Sequence, residues 1–254
     1  MPVSNEADHL VVVLVSPRNP LNMGAAARAM MNFGFRHLRL VNPYEVALEG
    51  ARAAVGAEEL LASAEEFKSV ADAIADCKVV VGTTAVRHRE VQHPLRRLDE
   101  DAGHLINDEL RTSKVALMFG SEKYGLSTED LSYCHWLINI PTQEPQISMN
   151  LGQAVAVCLY ELIRGGATAR QFAPGEIADE LPAEELANAG EMERITQVLF
   201  EALRVSGYVK PGTEVWSDEK VRRVMRHLNL RSTDVAFWLG VLRQMLWKMK
   251  NGKH

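Results

Sequence analysis

The sequence predicts an α/β fold, a parallel sheet with helices on both faces, followed by a small all-α domain. Three observations carry this. Short, mainly apolar runs, Leu10–Val15, His37–Val41, 78–81, Val115–Phe119 and 136–140, alternate with stretches rich in Ala, Glu and Leu, and strands buried on both faces of a parallel sheet read in this way. Each run ends in punctuation, at Ser16-Pro17, Asn42-Pro43, Gly82, Gly120 and Pro141. Beyond residue 190 such runs cease and apolar residues recur at helical spacing.

In chain order, Leu10–Val15 is strand one, and a helix is expected over 24–33, rich in Ala and Met and closed by Gly34 in the left-handed region. After strand two, 44–76 is helical in composition, with Ser63 and Glu66 at the spacing of a capping box. Strand three, 78–81, leads into Gly82-Thr83-Thr84-Ala85 and a basic loop, Arg87-His88-Arg89. A helix over 103–111 precedes strand four. Ser127, with Glu129 and Asp130 behind it, has the form of an N-cap for a short helix over 128–133. Strand five is followed by a helix over 151–163, with Leu151, Val155, Cys158 and Leu162 along one face.

The expected division is 1–165 for the α/β domain, 166–190 for a linker containing Gly166, Pro174-Gly175 and Pro182, and 191–254 for the helical domain. In that last part Ile195, Val198, Leu199, Ala202 and Leu203 form one stripe, closed by Gly207. Residues 218–228 carry an apolar set (Val221, Val224, Met225, Leu228) and a basic set (Arg222, Arg223, Arg226). Residues 234–249 place Val235, Trp238, Leu242, Met245 and Met249 on one side. At about 64 residues this unit is marginal alone.

Composition narrows the function classes. With 47% hydrophobic and 24% charged residues the 254-residue chain is ordinary for a globular protein. No apolar run approaches the ~18 residues of a membrane span, and Leu10–Val15 lacks a signal peptide's basic flank, so no membrane and a cytoplasmic address are expected. Cys77, Cys134 and Cys158 are widely spaced without Cys-x-x-Cys, so neither a disulfide framework nor a metal site is indicated. The net charge of −5 is uneven: residues 191–254 hold 12 Lys and Arg against 7 Asp and Glu, a formal +5, leaving −10 for the rest. There is no Gly-x-Gly-x-x-Gly after the first strand and no P-loop, so a nucleotide cradled in the usual way is not supported and a dehydrogenase is disfavoured.

What remains is a set of turns after strands three, four and five, and ligands of open α/β sheets bind outside such strand ends. Turns of this kind recognise an adenosine-like molecule through main-chain groups. Asn22-Met23-Gly24-Ala25-Ala26-Ala27-Arg28, Phe119-Gly120-Ser121-Glu122-Lys123-Tyr124-Gly125-Leu126 and Ser148-Met149-Asn150-Leu151, in this order and spacing, resemble the SPOUT, or trefoil-knot, RNA methyltransferases over roughly residues 10–163. Within them the chain is similar to the tRNA 2'-O-methyltransferases that modify the first pyrimidine of the anticodon loop, nucleotide 32, in cytidine or uridine. The same chemistry on ribosomal RNA or another tRNA site, and a non-catalytic RNA-binding factor on the same fold, stay open as alternatives.

The resemblance implies a knot threading the segment from about Gly120 to Leu162, a homodimer whose sites combine both subunits, and S-adenosyl-L-methionine held by Thr83, Thr84, Ala85, Gly120, Ile140, Ile147, Ser148 and Met149. It casts Arg28, Ser148 and Asn22 as catalytic, with Glu122 bracing Arg28 or the loops. From position alone, Arg28 would lie one turn into its helix, where exposed N–H groups favour an anion. A guanidinium adds bidentate phosphate recognition. Arg28, Arg87, Arg89, Arg222, Arg223 and Arg226 are the expected contacts to tRNA. Relatives often carry a basic residue at Ser121 and arginines at Val86 and His88; Arg87 and Arg89 can substitute after a small register shift.

Overall fold

The computed structural model describes residues 4–52, 56–85, 92–98, 102–143, 148–172, 186–210 and 212–251. A short helix, α1 (Ser4–His9), leads into β1 (Leu10–Val15), and α2 (Pro20–Phe33) and β2 (His37–Val41) follow. Next come α3 (Glu45–Arg52), α4 (Glu58–Ala62), β3 (Glu65–Phe67), α5 (Val70–Ala73) and β4 (Val79–Thr83). Then β5 (Leu95–Arg97), α6 (Gly103–Leu110), β6 (Val115–Phe119), α7 (Thr128–Ser132), β7 (Trp136–Asn139) and α8 (Leu151–Phe172) complete the α/β part. Three helices end the chain: α9 (Ala189–Val205), α10 (Glu214–Arg226) and α11 (Ser232–Asn251).

The sheet has seven strands in the order β3-β2-β1-β6-β4-β7-β5, and every pairing is parallel. All residues of β1 and β6 are buried, because alternate side chains feed two cores on opposite faces: Leu10, Val12 and Leu14 with α2, α6 and α8, and Val11, Val13 and Met118 with α5 and α7. The expected α8 stripe of Leu151, Val155, Cys158 and Leu162 lies in the first core. Helices α2 and α8 touch closely, since a Cβ at Gly152 would stand 2.6 Å from that of Ala25.

Several expectations hold in detail. Gly34 closes α2 at φ 82°, and Ser127 caps α7 in a capping box completed by Asp130. All three cysteines are buried thiols, and burial pushes that of Cys158 up to about 12.

Other expectations are corrected. Two three-residue edge strands, β3 and β5, add to the five read from the sequence; Glu65 and Glu66 in β3 are exposed, so edge pairing rather than apolar pattern makes the strand. The capping box at Ser63 does not form, because the chain leaves α4 there and Ser63 is its C-cap. Helix α8 runs on through Gly165 and Gly166 to Phe172, so the linker does not begin at 166.

The C-terminal helices are docked on the α/β body. Asn188 caps α9 in a capping box with Glu191, and the next two amides donate into the body, Ala189 to the Cys77 carbonyl and Gly190 to that of Ala75, both at 2.8 Å. Gly190 permits this approach, since a Cβ there would lie 2.9 Å from the Ala75 oxygen. Helix α10 departs from the sequence reading in part: Met225 is buried and Val221 packs beside it, but Val224 and Leu228 are exposed, whereas Arg222 is 7% and Arg226 1% exposed. Arg222 stacks over the Tyr133 ring at 4.3 Å and donates to the Ser132 hydroxyl on α7. Arg226 donates to the Ala189 carbonyl, and both approach the Glu193 carboxylate, at 3.4 and 3.6 Å. Burial lowers Arg226 to about 10 despite that carboxylate. Arg222 and Arg226 therefore do not form the exposed basic face expected of them, and of the three only Arg223 reaches the surface. On α11, Val235, Leu242 and Leu246 are buried while Trp238, Met245 and Met249 are exposed.

Candidate active site

The sheet register brings the carboxyl ends of β4, β6 and β7 to one rim. Gly82 pairs with Met118 and with Leu137, and Thr83 with Ile138, so the chain leaves all three strands within a few residues of one another. The ends are laced together. Thr83 Oγ1 donates to the Met118 carbonyl at 3.0 Å, Thr84 N–H to the Ile138 carbonyl at 2.9 Å, and Asn139 Nδ2 to the Thr84 carbonyl at 2.9 Å. Both main-chain groups of Thr84 are thus engaged by β7, which leaves its side chain for a ligand.

Outside this rim lies a cleft of about 310 Å³, in the size range of small-molecule sites. Thr83, Thr84, Ala85, Gly120, Ile140, Ser148 and Met149, all predicted to hold the methyl donor, line it together. Ile147 lies outside the described residues, as do Arg87 and Arg89. The walls also include Phe119, Leu126, Ile138 and Leu151, which sequence reasoning missed; their positions beside the strand ends were the available signal. Apolar walls for a purine and hydroxyls at the mouth fit an adenosine-bearing cofactor. Sequence reasoning also left Tyr124 unassigned, though it lines the same cleft.

Gly120 has a reason of its own. A Cβ there would collide with the backbone of Gly125 and Leu126, because the loop folds straight back over the strand end. Ser121 and Gly125 form an antiparallel bridge, the Gly125 amide donates to the Ser121 carbonyl at 2.8 Å, and Gly125 has φ 67°.

The three segments quoted for the family resemblance are physically joined. Glu122 accepts from the backbone amides of Arg18 (3.1 Å) and Asn19 (2.9 Å) and from Asn22 Nδ2 (3.2 Å). Asn150 Nδ2 donates to Asn22 Oδ1 at 2.7 Å, and Asn150 Oδ1 accepts from the Gly152 amide at the start of α8. Burial raises the Glu122 carboxyl, but its own amide, that of Asn19, Asn22 and the Arg18 amide outweigh it and hold the group below its usual range. Asn22 and Glu122 thus brace the loops rather than Arg28. Asn150 caps α8 by accepting from the Gly152 amide, which leaves the exposed Ser148 at the cleft.

Arg28 stands elsewhere. Helix α2 begins at Pro20 behind the cap Asn19, so Arg28 lies more than two turns in and the expected helix-terminus anion site does not apply to it. It is exposed, does not line the cleft, and its guanidinium lies beside Gly56, about 3.9 Å from where a Cβ would be. It makes no ion pair among the described residues. Arg223 is half-buried on α10, near His93. Among the described residues no cluster of His, Cys, Asp and Glu can hold a metal, and no helix is long and apolar enough to cross a membrane.

The chain matches the SpoU rRNA Methylase family over residues 9–160. It is 30% identical to the tRNA (cytidine/uridine-2'-O-)-methyltransferase TrmJ of Pectobacterium atrosepticum, across 92% of this chain and 95% of that one. It is 33% identical to TrmJ of Yersinia pestis strain Pestoides F, across 92% and 89%. Among solved structures, TrmJ from Z. mobilis ZM4 superposes with a TM-score of 0.77 at 31% identity, over 92% of this chain and 98% of that one. A protein described by its role in 2'-OH methylation of C/U34 on tRNA gives 0.50 at 26% identity, covering 64% of this chain and 99% of its own.

Proposed function

The chain belongs to the SpoU rRNA Methylase family, and from that premise we propose that it transfers a methyl group from S-adenosyl-L-methionine to a ribose 2'-hydroxyl of tRNA, at nucleotide 32 of the anticodon loop. The observation that carries this is the gathering of Thr83, Thr84, Ala85, Gly120, Ile140, Ser148 and Met149 around one cleft at the carboxyl rim. The segment 120–162 forms the trefoil knot on this reading, and the protein works in the cytoplasm.

The bound cofactor supplies an electrophilic methyl group. The chain's part is to present the ribose oxygen in line with it, and positioning accounts for a large share of such accelerations. Thr83, Thr84 and the apolar walls hold the donor, and Ser148, at the mouth, orients the hydroxyl. Arg28 grips the adjacent phosphate and stabilises developing alkoxide charge, and the hydroxyl proton passes to water at the cleft mouth. Since Arg28 does not line its own cleft, it serves the cleft of a second copy in a homodimer. Asn22, fixed between Glu122 and Asn150, keeps α2 in register with both loops. Arg87, Arg89 and Arg223 are the remaining candidates for phosphate contact.

The relatives named TrmJ align along nearly the whole chain, C-terminal helices included, whereas the C/U34 protein spans only 64% of it, which favours the TrmJ-type site over nucleotide 34. Incubation with unmodified tRNA and labelled donor, with the product mapped by mass spectrometry, tests the reading. Methylation at nucleotide 32 is expected. Label confined to ribosomal RNA or to nucleotide 34 would replace the substrate assignment, and no transfer to any RNA would leave the non-catalytic alternative.

A further inference from the structure

We infer that Tyr124 is a stacking platform for a base of the substrate RNA beside the reacting ribose, and so a residue that sets substrate affinity. The inference rests on the RNA-methylation reading of the same cleft. Tyr124 lines that cleft together with Thr83, Gly120 and Met149, yet its side chain is turned outward and 70% exposed. Its hydroxyl makes no hydrogen bond among the described residues. Among the described residues the ring belongs to neither core of the α/β body, and an aromatic left in water forgoes the stabilisation that burial brings.

The loop that carries it is held fast. Gly120 lets the chain fold back on itself, the Ser121–Gly125 bridge closes the turn, and Glu122, its neighbour but one, is pinned by the amides of Arg18 and Asn19. The Lys123 ammonium sits 4.9 Å from the centroid of the Tyr124 ring, which orients the ring and places a positive charge where a nucleotide's phosphate would arrive. An aromatic on a braced loop, with a cation over one face and the other face open at the mouth of a donor cleft, is the arrangement that holds an unstacked base. The purine of the methyl donor does not need it, since Leu126, Ile138, Ile140, Met149 and Leu151 already wall the cleft.

Full-length wild type, Tyr124→Ala, Tyr124→Phe and Lys123→Ala are to be compared by steady-state methylation of tRNA, by donor titration calorimetry and by thermal unfolding. A second readout is the fluorescence of tRNA carrying 2-aminopurine next to the methylated nucleotide. Tyr124→Ala is expected to raise KM for tRNA about 5- to 150-fold, the about 1–3 kcal/mol of one base–aromatic stack, with unchanged donor affinity and melting temperature, and to abolish the quenching that wild type causes. Tyr124→Phe keeps the stack and behaves as wild type. Lys123→Ala flattens the salt dependence of tRNA binding and weakens the stack without removing it. An unchanged KM and quenching in Tyr124→Ala would overturn the inference alone, and lost donor affinity would overturn it by assigning the ring to the cofactor. If wild type transfers no methyl group to RNA, the functional reading fails and this one with it.

Discussion

Replacing Glu122 perturbs the site at the point where its three segments meet. The carboxylate accepts from the Arg18 and Asn19 amides, which are exposed, and from Asn22 Nδ2, which is partly buried. Water takes over the first two when the carboxylate is deleted, so each contributes about 0.5 kcal/mol. The third strands the Asn22 amide and costs about 1 kcal/mol. Glu122→Ala is therefore expected to lose about 2 kcal/mol, a fall in melting temperature of about 4–8 °C for a chain of this size. Because Asn22 then no longer fixes α2 against Asn150, turnover is expected to drop about ten- to a hundredfold with donor affinity retained.

Glu122→Gln keeps one acceptor oxygen and should lose about half as much. The carboxyl is held below its usual range in the fold, so its contribution is complete above the unfolded-state value of about 4.3 and vanishes as the pH falls through the folded-state value. Urea titrations of wild type and Glu122→Gln should accordingly converge in acid. Equal midpoints and equal turnover for wild type and Glu122→Ala at neutral pH, or a gap to Glu122→Gln that persists in acid, would refute the reasoning.

Three further outcomes are expected. Arg28→Ala should leave unfolding and donor binding intact and reduce methyl transfer to tRNA about 10²- to 10³-fold, the scale of removing one donor from developing oxyanion charge; wild-type turnover would strip Arg28 of its role. Glu193→Gln should destabilise the protein by about 3–5 kcal/mol, since it leaves the buried guanidinium groups of Arg222 and Arg226 without their shared carboxylate; a urea midpoint within error of wild type would show that the cluster does not dock the C-terminal helices. Burial lowers His93 to about 4 and His135 to about 3, so both are neutral in the fold and the unfolded chain binds protons first. Stability should decline as the pH falls from about 6.5 towards those values, and His135→Asn, whose amide oxygen can still accept from the Val80 amide, should flatten the decline between pH 6.5 and 5.

The central strands were legible because β1 and β6 are buried on both faces and leave unbroken apolar runs. The edge strands β3 and β5 were not, since Glu65, Glu66, Arg96 and Arg97 owe their conformation to a neighbour rather than to their own pattern. The cleft was legible through Gly120 and the turns around it. The links from Asn22 to Glu122 and Asn150 were not fixed by pattern, because they span at least 100 residues of sequence. The basic residues of α10 misled for a chemical reason: a guanidinium is ordinarily solvated, but Arg222 and Arg226 share the one Glu193 carboxylate and are covered by Tyr133 and α9, arrangements that only tertiary contact creates. Arg28 lies deeper in its helix than the expected start at residue 24 implies, because the helix begins four residues earlier with Pro20 at its first position.

The most direct measurement is calorimetric titration of the folded protein with S-adenosylmethionine, alone and with tRNA present, beside an Ala85→Trp variant whose indole would fill the cleft. Saturable binding by wild type, abolished in the variant without loss of its melting temperature, is the result predicted. Heat absent from wild type under both conditions, or undiminished binding by the variant, would contradict the assignment of this cleft to the methyl donor.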